Sequence, residues 1–180
     1  MSRIAPPLIL LLLLILQGGV SLLIPASISE AGLIIVIHSV FLFLLLLVMF
    51  YDLEDTYYAL FFAILSGLLI DIVYTSIIGV YMFSYAIITY FFHGMRKLLH
   101  ANFYVALILM IIGVGLVDSL LYFIYQFIGV TNMGIADYLS HRLMPTLFVN
   151  LLVFLIFYLI FKRKLVKWSN DRFDPKRSTN

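Results

Sequence analysis

The chain has 180 residues, of which 64% are hydrophobic and only 11% charged, with a formal net charge of +2. A water-soluble domain of this size does not carry so few charges, and the continuous apolar runs exclude an alternating β-barrel pattern. Cysteine is absent, which excludes disulfides and thiolate metal sites.

In chain order the apolar runs cover residues 4–24, 31–50, 57–73, 77–95, 103–128 and 143–161. Each is long enough to cross a hydrocarbon core of roughly 30 Å at about 1.5 Å per residue. The expected fold is therefore all-α: one domain over 1–161 with six transmembrane helices, followed by a basic cytoplasmic tail over 162–180. In the first run, Pro6 and Pro7 suit an opening helical turn. Gln17-Gly18-Gly19 is expected to interrupt or bend this run near its outer end. Leu8–Leu16 lacks the flanks of a cleavable signal peptide, so no cleavage is expected.

The third and fourth runs are separated only by Tyr74-Thr75-Ser76. Residues 57–95 as one helix would reach about 58 Å, too long for one crossing without a steep tilt, so two short crossings with a tight outer turn are expected. The basic residues agree. With the N-terminus inside, Arg3, Arg96, Lys97 and seven residues after position 161 fall on the inner side, and only Arg142 falls outside. Retained Lys and Arg mark the cytoplasmic face, so both termini are expected there and the chain is placed as a multi-pass protein of a cytoplasmic membrane.

Three ionisable residues within or beside the apolar runs stand out. Asp71 lies about 3 Å from the outer end of the third run, Asp118 about 22 Å into the fifth, and Arg142 at the outer start of the sixth. One reading has Asp71 accept N–H bonds from residues 73–75 and Asp118 pair with Arg142, locking the last two helices. A second makes the two aspartates an acid–base dyad, but Gly113-Val114-Gly115-Leu116-Val117-Asp118 does not match the GxGD arrangement of membrane proteases. A third is a ligand or proton site. The structural reading is favoured, so no catalytic, cofactor-binding or metal residue is assigned and the chain is not expected to be an enzyme.

Ala59, Ala63, Gly67 and Asp71 recur every four residues and share one helix face, either for internal packing or for a partner helix. Gly115, Asp118, Ser119, Tyr122 and Gln126 trace a comparable face on the fifth run. His38, His93, His100 and His141 show no metal-ligand spacing, and His93 and His100 are expected to be solvated at the interface. The loop Tyr51-Asp52-Leu53-Glu54-Asp55-Thr56 is acidic and offers a landing site for a basic segment. Lys162, Arg163, Lys164, Lys167 and Trp168 form a juxtamembrane patch suited to anionic lipid, with about 1 kcal/mol for each basic residue near the surface.

The stretch Gly67-Leu68-Leu69-Ile70-Asp71-Ile72-Val73-Tyr74, followed by Gly79 and by a run ending in Met95-Arg96-Lys97, resembles the core of the bacterial rod-shape-determining MreD family. Chain length, the leucine-rich first run, the basic turn and the basic C-terminus extend the resemblance over nearly the whole chain. It implies a non-enzymatic scaffold of the cell-elongation (rod) complex that organises lateral peptidoglycan synthesis. It also implies binding to the transmembrane helix of MreC, with MreB, RodA and a class B penicillin-binding transpeptidase as indirect partners. The family further suggests a fold akin to the six-helix substrate-binding subunits of energy-coupling-factor transporters, and a solute-binding subunit of that type is the alternative function. Gly67 and Asp71 are the positions that the resemblance covers.

Overall fold

The computed structural model describes residues 3–20, 32–96 and 101–173, and within them the chain is all-α. Six helices follow in order: α1 (Ala5–Val20), α2 (Ser39–Phe50), α3 (Tyr58–Tyr74), α4 (Val80–Arg96), α5 (Phe103–Phe127) and α6 (Ile135–Phe173). Helix α6 is continuous but passes through a π-helical stretch at Tyr138–Leu143. Two helices, α5 and α6, are long and apolar enough to cross a membrane on their own, while α1, α2 and α3 are shorter apolar helices.

The centre is α2. Its sequence, SVFLFLLLLVMF, is apolar all round, and every one of its residues is buried. A helix without a polar face can be stable only if it is enclosed. Here α1, α3, α4, α5 and α6 all pack on it, and around it α1 packs on α3, α3 on α4, α4 on α5 and α5 on α6.

Several boundaries differ from those expected. The second run is not one helix from 31 to 50: residues 33–38 are not helical and the helix starts at Ser39. This stretch, Leu33-Ile34-Ile35-Val36-Ile37-His38, is rich in β-branched residues, which favour extended backbone. At about 1.5 Å per residue α2 reaches only about 18 Å, short of a hydrocarbon core of roughly 30 Å. Gln17-Gly18-Gly19 does not interrupt α1, which runs on to Val20. Gly18 instead leaves room for Tyr74, whose ring lies 2.4 Å from where a Cβ would stand and whose hydroxyl donates to the Leu14 carbonyl at 2.8 Å.

The expected outer loop 129–140 is shorter, because α6 restarts at Ile135. At the other end α6 does not stop at Phe161. It continues to Phe173, and its Leu165 and Ser169 are buried, so this stretch is a packed helix and not a free tail. Residues 21–31, Lys97, His100, Lys176 and Arg177 lie outside the described residues.

The α3–α4 hairpin is the tightest pairing in the fold. A Cβ on Gly67 would stand 2.6 Å from Met82 Cα, so a glycine is needed for the two backbones to approach. One turn later Asp71 is fully buried and accepts from the backbone N–H groups of Gly79 (2.9 Å), Tyr81 (2.9 Å) and Met82 (3.0 Å). Its donors are therefore the first turn of α4, not residues 73–75. The reason is geometric: the N-terminal N–H groups of a helix have no intrahelical acceptor, and the hairpin brings α4's free N–H groups onto the carboxylate. Gly79, at φ +107, supplies the left-handed backbone that turns the chain into α4.

Ala59 and Ala63 are fully buried on the same face as Gly67 and Asp71. This face is occupied by the chain itself, so it serves internal packing and is not a surface for a partner helix.

Gly67→Leu and Asp71→Ala are each expected to lower thermal stability in detergent, the first by overpacking and the second by leaving three buried N–H groups without an acceptor, about 2–4 kcal/mol in each case. Asp71→Asn retains an acceptor oxygen and is expected to fall between wild type and Asp71→Ala. Melting of the purified variants, followed by size-exclusion chromatography after heating, measures the order. Equal melting of wild type and Asp71→Ala would remove the carboxylate from this role.

Candidate functional site

The densest group of buried polar side chains gathers where α2 begins. It starts with the non-helical segment 33–38, whose backbone groups have no helical partners and are mostly half-buried against protein. Groups shielded from water in this way need substitute partners. Helix α6 provides them. Thr146 Oγ1 accepts from Val36 N at 3.1 Å, and Asn150 Oδ1 accepts from His38 N at 2.8 Å. Asn150 Nδ2 donates back to Val36 O at 2.7 Å, so one amide satisfies both a donor and an acceptor of the segment. Within the π-helical stretch, His141 O accepts from Ile34 N at 2.8 Å.

Just beyond this junction Asp118 and Arg142 form a multidentate ion pair. Arg142 Nη2 lies 3.0 Å from Asp118 Oδ1, and Nε lies 3.3 Å from both carboxylate oxygens. Asp118 is fully buried, and the Arg142 side chain retains 18% of its accessible surface. The guanidinium presents a fork of donors that matches the carboxylate, which offsets part of the desolvation that both groups suffer.

His38, at the N-terminal end of α2, is the third member. Its Nε2 stands 3.5 Å from Asp118 Oδ1, an electrostatic contact longer than a good hydrogen bond, and its Nδ1 faces the Tyr85 hydroxyl at 3.4 Å. Ser39 Oγ reaches Gln17 Oε1 at 3.4 Å, bringing α1 into the group. The carboxylate thus lies beside the N-terminus of α2, where the helix dipole favours negative charge. Next to it, Tyr122 and Tyr138 stack at 4.0 Å, with Ser119 Oγ 3.0 Å from Tyr138 OH and Tyr122 OH donating to Met133 O at 2.7 Å.

Asp118 and Arg142 are therefore brought together, and Ser119 and Tyr122 take part beside them. Gln126 is exposed, and the close approach on α5 is made by Gly113, not Gly115: a Cβ on Gly113 would stand 2.6 Å from the Phe92 ring. Asp71 belongs to the α3–α4 hairpin and shares no hydrogen bond with Asp118 among the described residues. His38, Thr146 and Asn150 were not singled out from sequence. The signal was present, since Asn150 lies one turn after Thr146 inside an otherwise apolar span. No group of three or more metal-ligating side chains occurs among the described residues.

The acidic loop 51–56 is not a uniform exposed surface. Asp52 is fully buried and accepts from Ala59 N at 2.9 Å, which caps α3, while Glu54 and Asp55 are exposed. His93 is also buried, with Nε2 3.2 Å from Glu54 O and its ring 4.4 Å from that of Tyr57. Ser169 Oγ donates to Tyr51 O at 2.8 Å, and Arg172 bonds the Tyr51 hydroxyl and lies 3.8 Å over the Tyr58 ring. Of the expected basic patch, Arg163, Lys164 and Lys167 are exposed, Trp168 is half-buried, and Lys162 lies 4.9 Å over the Tyr158 ring.

A family model of the rod shape-determining protein MreD matches residues 1–167. The chain belongs to the MreD family. It is 30% identical over 105 residues to the rod shape-determining protein MreD of Bacillus subtilis (strain 168), a match that covers 58% of this chain and about 61% of that relative's length. The matched stretch thus spans less than two thirds of that relative's length. No solved structure matches the chain. In this chain the family-like segment has a physical reading: Gly67 admits α4, Asp71 caps it, and Tyr74 ties α3 to α1.

Two outcomes are expected here. Asp118→Ala leaves Arg142 buried without its counter-charge and is expected to cost about 3–5 kcal/mol, whereas Asp118→Ala combined with Arg142→Leu is expected to be milder. A thermal-melt double-mutant cycle reads the difference, and additive losses would show that the pair does not act as a unit.

Asp52, in the turn between α2 and α3, has its carboxyl pushed up to about 6, chiefly by burial and against the opposing pull of the Ala59 and Tyr58 N–H groups and of Arg96 and Arg172. The folded state then holds the proton more tightly than the unfolded one, so stability is greatest below about pH 4 and falls as pH rises through about 6. Asp52→Asn keeps an acceptor for Ala59 and is expected to melt above wild type at pH 7.5 and to flatten this dependence. A lower melting point for the variant at pH 7.5 would reverse the sign.

Proposed function

We propose that this chain is a six-span integral membrane scaffold of the rod complex, with both termini in the cytoplasm, which binds MreC and helps organise lateral peptidoglycan synthesis. The observation that carries this reading is the family match over residues 1–167. The uneven distribution of Lys and Arg supports the orientation. In a six-span arrangement α2 and its non-helical lead-in make one crossing together, and α1, α3 and α4 cross with 16 or 17 helical residues each. Helices of that length match a hydrocarbon core through local thinning and packing against longer neighbours.

Scaffold is favoured over a solute-binding transporter subunit because the polar groups of the outer half bond to one another and the centre of the bundle is filled by α2. Transport subunits need a cavity with polar groups left for a ligand. With the Ala59/Ala63/Gly67 face closed by internal packing, the MreC helix is to be sought on the lipid-facing surfaces. MreB, RodA and the transpeptidase are reached indirectly, and the exposed Arg163, Lys164 and Lys167 meet anionic lipid at the inner surface.

The orientation is tested with single cysteines in this cysteine-free chain. Ser76→Cys, at an exposed position, is expected to react with an impermeant reagent in intact cells, and Asn170→Cys only after the membrane is opened. Affinity purification of the tagged chain from native membranes is expected to retain MreC. Equal labelling at the two positions would overturn the topology, and stable, inserted protein that retains no MreC would overturn the scaffold.

A further inference from the structure

The described part of the bundle leaves a seam between α1 and the inner ends of α3 and α6. At the inner end of this seam is an open cavity of about 570 Å³, lined by Arg3, Arg172, Asp55, Tyr58 and Phe62 among others. Phe62 also lines a second cavity of about 180 Å³, which lies between α1 and α3 and is walled by Leu10, Leu14, Leu65 and Leu69, with Ser66 the one polar residue. The two form a groove that is cationic at its inner end and apolar above. From Arg3 to Leu14 the helical rise is about 16 Å, close to the depth of one leaflet of a roughly 30 Å core.

The cationic end is built from opposite ends of the chain. Arg172 is held in place by its bond to the Tyr51 hydroxyl and by the Tyr58 ring beneath it, neither of which neutralises its charge. Among the described residues no carboxylate lies within ion-pair distance of Arg172 or Arg3. Asp55 is the single acidic residue in the lining, so the mouth keeps a net positive charge. An oriented guanidinium with N–H groups to spare suits a phosphate, which it engages through paired hydrogen bonds.

We infer that this groove is a binding site for a single anionic phospholipid, with its phosphate between Arg3 and Arg172 and one acyl chain lying between α1 and α3. The site is separate from the exposed Arg163, Lys164 and Lys167, which attract lipid charge without a cavity. The inference rests on the proposed membrane placement but not on MreC binding, so a failure to retain MreC leaves it standing.

Native mass spectrometry of the delipidated full chain in detergent tests it, with phosphatidylglycerol and phosphatidylcholine of equal chain length as probes. Phosphatidylglycerol is expected to be retained about tenfold better than phosphatidylcholine. Arg3→Gln with Arg172→Gln is expected to remove that preference, as loss of two basic contacts implies. Leu65→Trp is expected to fill the slot and reduce retention of both lipids. Arg3→Gln alone, at an exposed position, keeps the test open if the Arg172 change destabilises the fold, which melting reports.

Retention that responds equally to changing Arg163, Lys164 and Lys167 to Gln would make the attraction diffuse and overturn the site. Displacement of phosphatidylglycerol by millimolar inorganic phosphate would make a free anion the occupant and also overturn it. So would undiminished retention in Arg3→Gln and Leu65→Trp.

Discussion

A helix with no exposed face governs this fold. Once all of Ser39–Phe50 is enclosed, the side chains of α2 present no difficulty, because they are apolar and meet apolar neighbours. The difficulty lies at its two ends, where backbone groups leave the helical ladder while still surrounded by protein. Both ends are completed by α6. Thr146 and Asn150 receive the lead-in at the N-terminal end of α2, and Ser169 receives the Tyr51 carbonyl at its C-terminal end. This requirement explains two features that composition alone does not: polar residues inside an apolar span, and a last helix that runs on to Phe173.

The buried aspartates follow one logic. Asp52 accepts from the first turn of α3, Asp71 from the first turn of α4, and Asp118 lies beside the N-terminus of α2. A helix N-terminus carries free donors and a partial positive charge, and in a low-dielectric interior both count for more than in water. Each carboxylate therefore ties two segments of the chain together. Only Asp118 needs a full counter-charge as well, and Arg142 provides it. Ionisable residues at such depth invite a catalytic reading, but here all three have structural partners close at hand.

Much of the helical layout was legible because apolar runs and their interruptions report directly on burial in lipid. The α3 and α5 bounds fall within one residue of those expected, helped at α5 by Asn102, whose side chain caps Val105 N at 2.9 Å. The Asp118–Arg142 contact could be anticipated from depth along two helices. What escaped is non-local. A non-helical segment packed on α6 is indistinguishable from helix by hydropathy, since Ile34, Ile35, Val36 and Ile37 are as apolar as the leucines that follow. Its partner Asn150 lies more than a hundred residues away in sequence. Likewise the continuation of α6 past Phe161 reads as a charged tail, because the burial of Leu165 and Ser169 depends on where the other helices end.

The sequence separation between α2 and α6 has a consequence for biogenesis. The segment that needs Thr146 and Asn150 is made 110 to 114 residues before them, and Tyr51 is made 118 residues before Ser169. During synthesis the first five helices are in place while the lead-in to α2 still has open donors and acceptors. At typical elongation rates of about 5–20 residues per second, that interval lasts roughly 6–20 seconds. Through it, the lead-in to α2 lacks the hydrogen-bond partners that it has in the finished fold. Arrival of the last helix is then the closing event of assembly, and any truncation before Asn150 leaves a bundle whose central helix has no completed entrance.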